Sequence, residues 1–280
     1  MNPRSLHRRL RTPFVFTATA TVAGVLLLTS VAPASAGRAS SSKDRKPTVV
    51  LVHGAFADSS SWNGVIKKLK RDGYPVVAAS NPLRGLSSDS AYVKELLAGI
   101  EGPVVLAGHS YGGSVISNAA NGADNVKALV YIAAFLPEKG ESAVELSGKF
   151  PGSTLGEVLK PVPVTQPDGS QGADLYIDQG EFNHQFAADV PKSTADLMAA
   201  TQRPVTSAAL EEEAGEPAWK TVPSWVLVAT QDLNIPPKAQ TFMADRANAH
   251  EEKVRASHAV SVSQPDRVAD IIEDAARTVH

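Results

Sequence analysis

The stretch 102–116, "GPVVLAGHSYGGSVI", constrains this chain more than any other. Its first half, 104–107, is a continuous apolar run too short for a helix, and its second half carries small residues at helical spacing. Between them stands Gly108-His109-Ser110-Tyr111-Gly112, a Gly-x-Ser-x-Gly pattern directly after a strand signal and before a helix signal. A serine in so tight a strand-to-helix turn adopts a strained backbone, and the flanking glycines let neighbouring main chain pass close to it. The turn presents the hydroxyl at a helix N-terminus, where free N–H groups and the helix dipole favour developing negative charge. The bland alternative is a serine that caps its helix; the strand before it and the helix after it favour a nucleophile. A phosphate-binding loop is disfavoured, because neither Gly-Lys-Ser/Thr nor Gly-x-Gly-x-x-Gly is present.

The same change from apolar run to helical spacing recurs along the chain. Strand signals at 48–54, 75–80, 103–108, 126–135, 224–230 and 251–256 alternate with helix signals at 60–73, 90–100, after Ser110, at 236–247 and at 265–279. Short unalternating strands between helices predict an α/β chain with a mainly parallel, doubly wound sheet buried on both faces, its core formed by 48–137 and 223–280. The segment 138–222 breaks the alternation. It is rich in Pro, Gly and acids, with helix signals near 181–188, 191–202 and 206–213 and no clear strand. It is too long for a plain loop and predicts an inserted helical cap or lid. Phe182, Phe186, Leu197 and Met198 within it suggest a small to medium apolar substrate.

Residues 1–36 read as an export signal peptide: Arg4, Arg8, Arg9 and Arg11 precede a mostly apolar stretch over 14–28, and Ala34-Ser35-Ala36 fits a small-residue cleavage site. The alternative is a retained anchor, but the apolar stretch is short for a bilayer and is interrupted by Thr17, Thr19 and Thr21. The expectation is a secreted protein with no stable membrane anchor. Residues 37–47 read as a flexible lead-in. With 27 basic against 29 acidic side chains the net charge is −2, and loss of the leader's four arginines makes it more negative. Nucleic acid and anionic membrane are therefore disfavoured as partners. The absence of cysteine excludes a thiol nucleophile and thiolate metal sites, and no two histidines stand at helical ligand spacing, so no metal is expected.

A serine nucleophile needs a base, and the base needs an acid that fixes its tautomer. His258 lies between the last strand signal and the last helix signal, where a loop can lower a side chain onto Ser110. His53, His109, His184, His250 and His280 are the other candidates in the mature chain; His53 and His109 read as supports for tight turns, and His184 as substrate contact or cap surface. Asp232, at the carboxyl end of "WVLVATQ", is the expected acid, with Glu138 as its rival one strand earlier. The oxyanion calls for two backbone donors, expected at Tyr111 and at Phe56 in "HGAFADSSSW", with Ala55 as the alternative to Phe56. Ala55, Trp62 and His184 complete the candidate substrate contacts, and for Phe56 and Trp62 simple core packing is as good a reading.

With these residues placed, the chain from about 47 onward resembles the α/β-hydrolase superfamily, and in particular the compact esterases that include plant methylesterases and hydroxynitrile lyases. The resemblance rests on "LVHGAF", "GHSYGG", "ATQDLNIPP" and "SHAV" followed by a proline-led helix, in that order. It implies a capped parallel sheet, a Ser110, Asp232 and His258 triad and no cofactor. The lyases of this group are similar in carrying lysine after the catalytic histidine; here that position is Ala259, which removes the main support for cyanohydrin cleavage. The expectation is a serine hydrolase of small-molecule carboxylic esters. A ligand-binding protein with little turnover, and lyase or perhydrolase chemistry at the same serine, stand as alternatives.

Overall fold

A computed structural model describes residues 46–165 and 169–279; the expected leader lies outside them. The chain runs β1 (Thr48–Val52), α1 (Asn63–Arg71), β2 (Val76–Ala79), α2 (Leu86–Ala98), β3 (Val104–His109), α3 (Tyr111–Ala119) and β4 (Val126–Ile132). Then follow α4 (Ala143–Gly148), α5 (Leu155–Val158), β5 (Leu159–Thr165), β6 (Gln171–Ile177), α6 (Phe182–Phe186), α7 (Lys192–Thr201), β7 (Val205–Thr206) and α8 (Ser207–Glu211). The last part is β8 (Ser224–Ala229), α9 (Pro237–Arg246), β9 (His250–Val254), α10 (Val260–Ser263) and α11 (Pro265–Arg277).

Six strands form one sheet in the order β2-β1-β3-β4-β8-β9, every neighbouring pair parallel. Its unalternating sequence has a direct cause: in β1, Val49 and Leu51 pack on one face while Val50 and Val52 pack on the other, so every position meets a core. Helices α1 and α11 cover the first face and α2, α3 and α9 the second. The chain order reverses direction across the sheet between β1 and β3, so the carboxyl ends of these two strands open a crevice at the switch point.

The expected run of helices in 138–222 is corrected. α6, α7 and α8 are present, but β5, β6 and β7 form an antiparallel sheet of their own. Pro161 and Pro163 in β5 argue against a strand in sequence; they are tolerated because β5 is the edge strand, where missing N–H groups break no ladder and block further pairing. α2 begins at Leu86, ahead of the expected Ser90. Its preceding residue, Gly85, offers no side-chain cap; Glu212 from the inserted segment instead accepts the Ser87 N–H at 3.1 Å. That partner is 125 residues away in sequence.

Candidate active site

Ser110 occupies the turn between β3 and α3 with φ 54° and ψ −125°, a left-handed geometry that side chains disfavour. Main-chain bonds hold it there: its N–H donates to the Ile132 carbonyl at 3.3 Å, and its own carbonyl accepts from Gly113 and Phe135 at 2.9 and 3.2 Å. Two glycines make the turn possible by close approach. A Cβ on Gly54 would stand 2.6 Å from the Ser110 Cβ, and one on Gly112 would stand 2.5 Å from the Val52 carbonyl oxygen.

Asp232 and His258, the expected acid and base, come from the loops after β8 and β9. Asp232 is buried, and its two oxygens take four hydrogen bonds. Oδ1 accepts from the N–H groups of Asn234 and Ile235 at 2.7 and 3.0 Å; Oδ2 accepts from Gln240 Nε2 at 2.9 Å and His258 Nδ1 at 2.7 Å. Because a carboxylate thus surrounded only accepts, His258 carries its proton on Nδ1 and leaves Nε2 free as a base. The rival Glu138 does not reach this histidine. It pairs with Lys220 at 2.5 Å near the surface, and its carboxyl is lowered by that hydrogen bond against an opposing burial effect.

His109 sits beside His258, ring centroids 4.8 Å apart, and its Nε2 donates to the His258 carbonyl at 2.8 Å. Burial, aided by the neighbouring His258, pushes His109 down to about 3, so it stays neutral and serves as a brace for the base. His53 is likewise pushed down by burial and donates from Nδ1 to the Gly54 carbonyl at 2.9 Å. His258 is therefore placed next to the nucleophile turn, although no hydrogen bond joins its ring to Ser110 Oγ among the described residues. Such bonds tighten on substrate binding in many hydrolytic sites.

The expected oxyanion donors divide. Tyr111 opens α3 and its N–H has no partner among the described residues, but the Phe56 N–H donates to the Arg203 carbonyl at 3.0 Å and is not free. Phe56 is thus corrected as donor. The N–H of Ala55, the alternative donor, has no partner among the described residues, and Ala55 lines the same cavity as Ser110. That cavity holds about 340 Å³. Its apolar wall comes from Phe135, Val144, Leu155, Leu159, Leu210 and Ile235, and Phe56 and Tyr111 line it too. Trp62 is fully buried in the core on the other side of the sheet, edge-on to His109, and touches no substrate space. His184 lines a separate cleft beside Asp189 and Ser257, so it is corrected as well. The four apolar residues of the insertion that suggested an apolar substrate do not line this cavity: Leu197 is exposed, Met198 lines another cleft, and Phe182 stacks on Phe186 at 4.9 Å.

Several supports carried no signal in the sequence. Gln240, on α9, holds Asp232 and also takes the Ala229 N–H on its Oε1 at 3.1 Å. Gln185, on α6, donates to the Leu233 carbonyl and to Asn234 Oδ1 at 2.9 and 2.8 Å, clasping the acid loop from the inserted segment. At the end of α6, the Phe186 carbonyl accepts the Ala259 N–H at 2.9 Å, and its ring lies edge-on to His258. Ala259 is itself buried, so the position after the histidine has no room for a long side chain. Among the described residues no group of three or more His, Asp or Glu side chains is placed to hold a metal.

Comparison with known proteins agrees with the fold. A model of the alpha/beta hydrolase family matches residues 49–271. An alpha/beta hydrolase of Aspergillus novofumigatus is 28% identical over 254 residues, covering 82% of this chain and 97% of that one. A pyrethroid hydrolase of Sphingobium wenxiniae is 28% identical over 253 residues, covering 81% and 86%. Among solved structures, polyneuridine aldehyde esterase superposes with a TM-score of 0.72 at 18% identity, over 82% of this chain and 99% of the other.

Proposed function

The chain belongs to the alpha/beta hydrolase family, and from that premise we propose that it is a secreted serine hydrolase of carboxylic esters with a small to medium apolar body. The observation that carries the proposal is the pairing of a strained Ser110 at an apolar cavity with a His258 whose Nδ1 is engaged by Asp232 at 2.7 Å.

The ester enters the cavity with its carbonyl carbon over Ser110 Oγ. His258 Nε2 takes the hydroxyl proton as Oγ bonds to that carbon, and the resulting imidazolium is stabilised by the Asp232 carboxylate. The carbonyl oxygen becomes an oxyanion facing the N–H groups of Ala55 and Tyr111. Collapse breaks the bond to the alcohol, which leaves with the proton from His258. Water, deprotonated by the same Nε2, then attacks the acyl group and releases the acid. No step calls for a cofactor. The apolar wall and the volume of about 340 Å³ favour an ester without charge near the scissile bond. Removal of residues 1–36 at export would place the enzyme outside the cytoplasm.

The test is hydrolysis of p-nitrophenyl esters of increasing acyl length by residues 37–280 and by its Ser110→Ala variant. Turnover that vanishes in the variant is expected; turnover that survives it, or a folded wild type inactive on every ester, would refute the reading.

A further inference from the structure

Phe56 combines three features that no part of the mechanism above requires. Its backbone is in the left-handed region, φ 60°, where a bulky side chain is an outlier and glycine would be relaxed. Its N–H is clipped to the Arg203 carbonyl of the inserted segment at 3.0 Å, and its ring meets Phe186 edge-on at 6.5 Å, so it is gripped from two sides. It also lines two cavities at once. One is the catalytic cavity with Ser110; the other is a cleft of about 230 Å³ between the loop after β1 and helix α7.

The second cleft has different chemistry. Asp58, Ser60, Asn63, Thr194 and Gln202 give it polar groups, with Ala57, Met198 and Val262 as its apolar elements. Asp58 is the one charged side chain in that lining, so the cleft suits an uncharged hydrogen-bonding group or a cation and disfavours a carboxylate. Phe56 alone is common to the two linings.

We infer that Phe56 is a specificity-determining partition, which limits substrate length by closing the catalytic cavity off from a cleft of mixed lining, whose apolar side chains can take the chain and whose hydroxyl and amide groups the uncharged polar end of a longer ester. The inference rests on the proposed esterase reading. It explains why a strained position carries a large ring: the ring is the wall.

The experiment compares wild type with Phe56→Gly, which removes both ring and backbone strain, and with Phe56→Leu, which keeps apolar bulk should the glycine variant fail to fold. Turnover is measured on p-nitrophenyl acetate, laurate and ω-hydroxylaurate, and on acetates of the matching long alcohols, so that either side of the ester can be the long one. In Phe56→Gly the ratio of kcat/KM for long over short esters should rise at least about tenfold in one series, most for the hydroxyl-ended chain, with a smaller rise in Phe56→Leu. Unchanged ratios in both series, in a variant that melts cooperatively, would overturn the partition. Binding of lauryl alcohol, read by calorimetry, separates this from the esterase reading. It should tighten at least about tenfold in Phe56→Gly even if no ester is turned over, and equal affinity in the two proteins would overturn the partition whatever the activity.

Discussion

Ser110 is held by main-chain bonds, whereas Asp232 and His258 depend as well on side chains and main chain that arrive from other parts of the molecule. The nucleophile turn is fixed by bonds from Ser110 to Ile132, Gly113 and Phe135 and by glycines that admit neighbouring backbone. The acid loop depends on Gln240 from α9 and Gln185 from α6, and the histidine loop on the carbonyl of Phe186 and the ring of His109. A site can therefore have one half that any sheet of this kind would form, and another half braced in part by an inserted segment. The inserted segment is part of the catalytic scaffold as well as a cover.

The contrast is sharpened first by Ser110→Ala, which leaves the backbone turn intact and should lower kcat by about 10⁶ in ester hydrolysis. Asp232→Asn comes next. It upsets the histidine tautomer and should cost about 10⁴ in turnover, whereas retention of most activity would return the role to another acid. Gln240→Ala and Gln185→Ala probe the side-chain half alone. Losing one hydrogen bond to the acid or its loop is worth about 1 to 3 kcal/mol, or about 5- to 150-fold in kcat with KM little moved. Full activity in both would break the distinction between the halves.

A smaller effect concerns stability. His109 is held down to about 3 in the folded chain, against 6.5 for a free histidine, so below pH 6.5 the unfolded chain binds a proton that the folded one refuses. Stability is complete above that pH and falls as pH drops toward 3, by up to about 1.4 kcal/mol per unit for this one group. Urea midpoints should decline from pH 7 to pH 5, and His109→Gln should flatten that decline. Glu138→Gln is the mildest change. It removes a half-exposed pair with Lys220 and should alter stability by less than about 1 kcal/mol and turnover hardly at all, as kinetics and melting of the purified variant would register.

The same contrast accounts for what could be read from the residues alone. β1, β3, β4 and β8 are legible because each is a short apolar run buried on both faces, and the Ser110 turn because Gly108 and Gly112 flank it in sequence. Asp232 and His258 are legible by their place after strands. The antiparallel strands of the insertion are not, since Pro161 and Pro163 are acceptable only at an edge that exists once β5 and β6 pair. The choice of Ala55 over Phe56 was equally out of reach, because it turns on a hydrogen bond to Arg203 that lies 147 residues further along the chain. Gln185 and Gln240 look like ordinary polar surface in sequence; their burial around the acid loop appears only with the fold.

The most direct test of the central claim is stoichiometric labelling with a fluorophosphonate, followed by mass spectrometry of the peptides. One adduct per chain on Ser110, formed rapidly in wild type and slowed by several orders of magnitude in His258→Ala, is the predicted result. Ester turnover without an adduct on Ser110, or labelling that is as fast without His258, would contradict it.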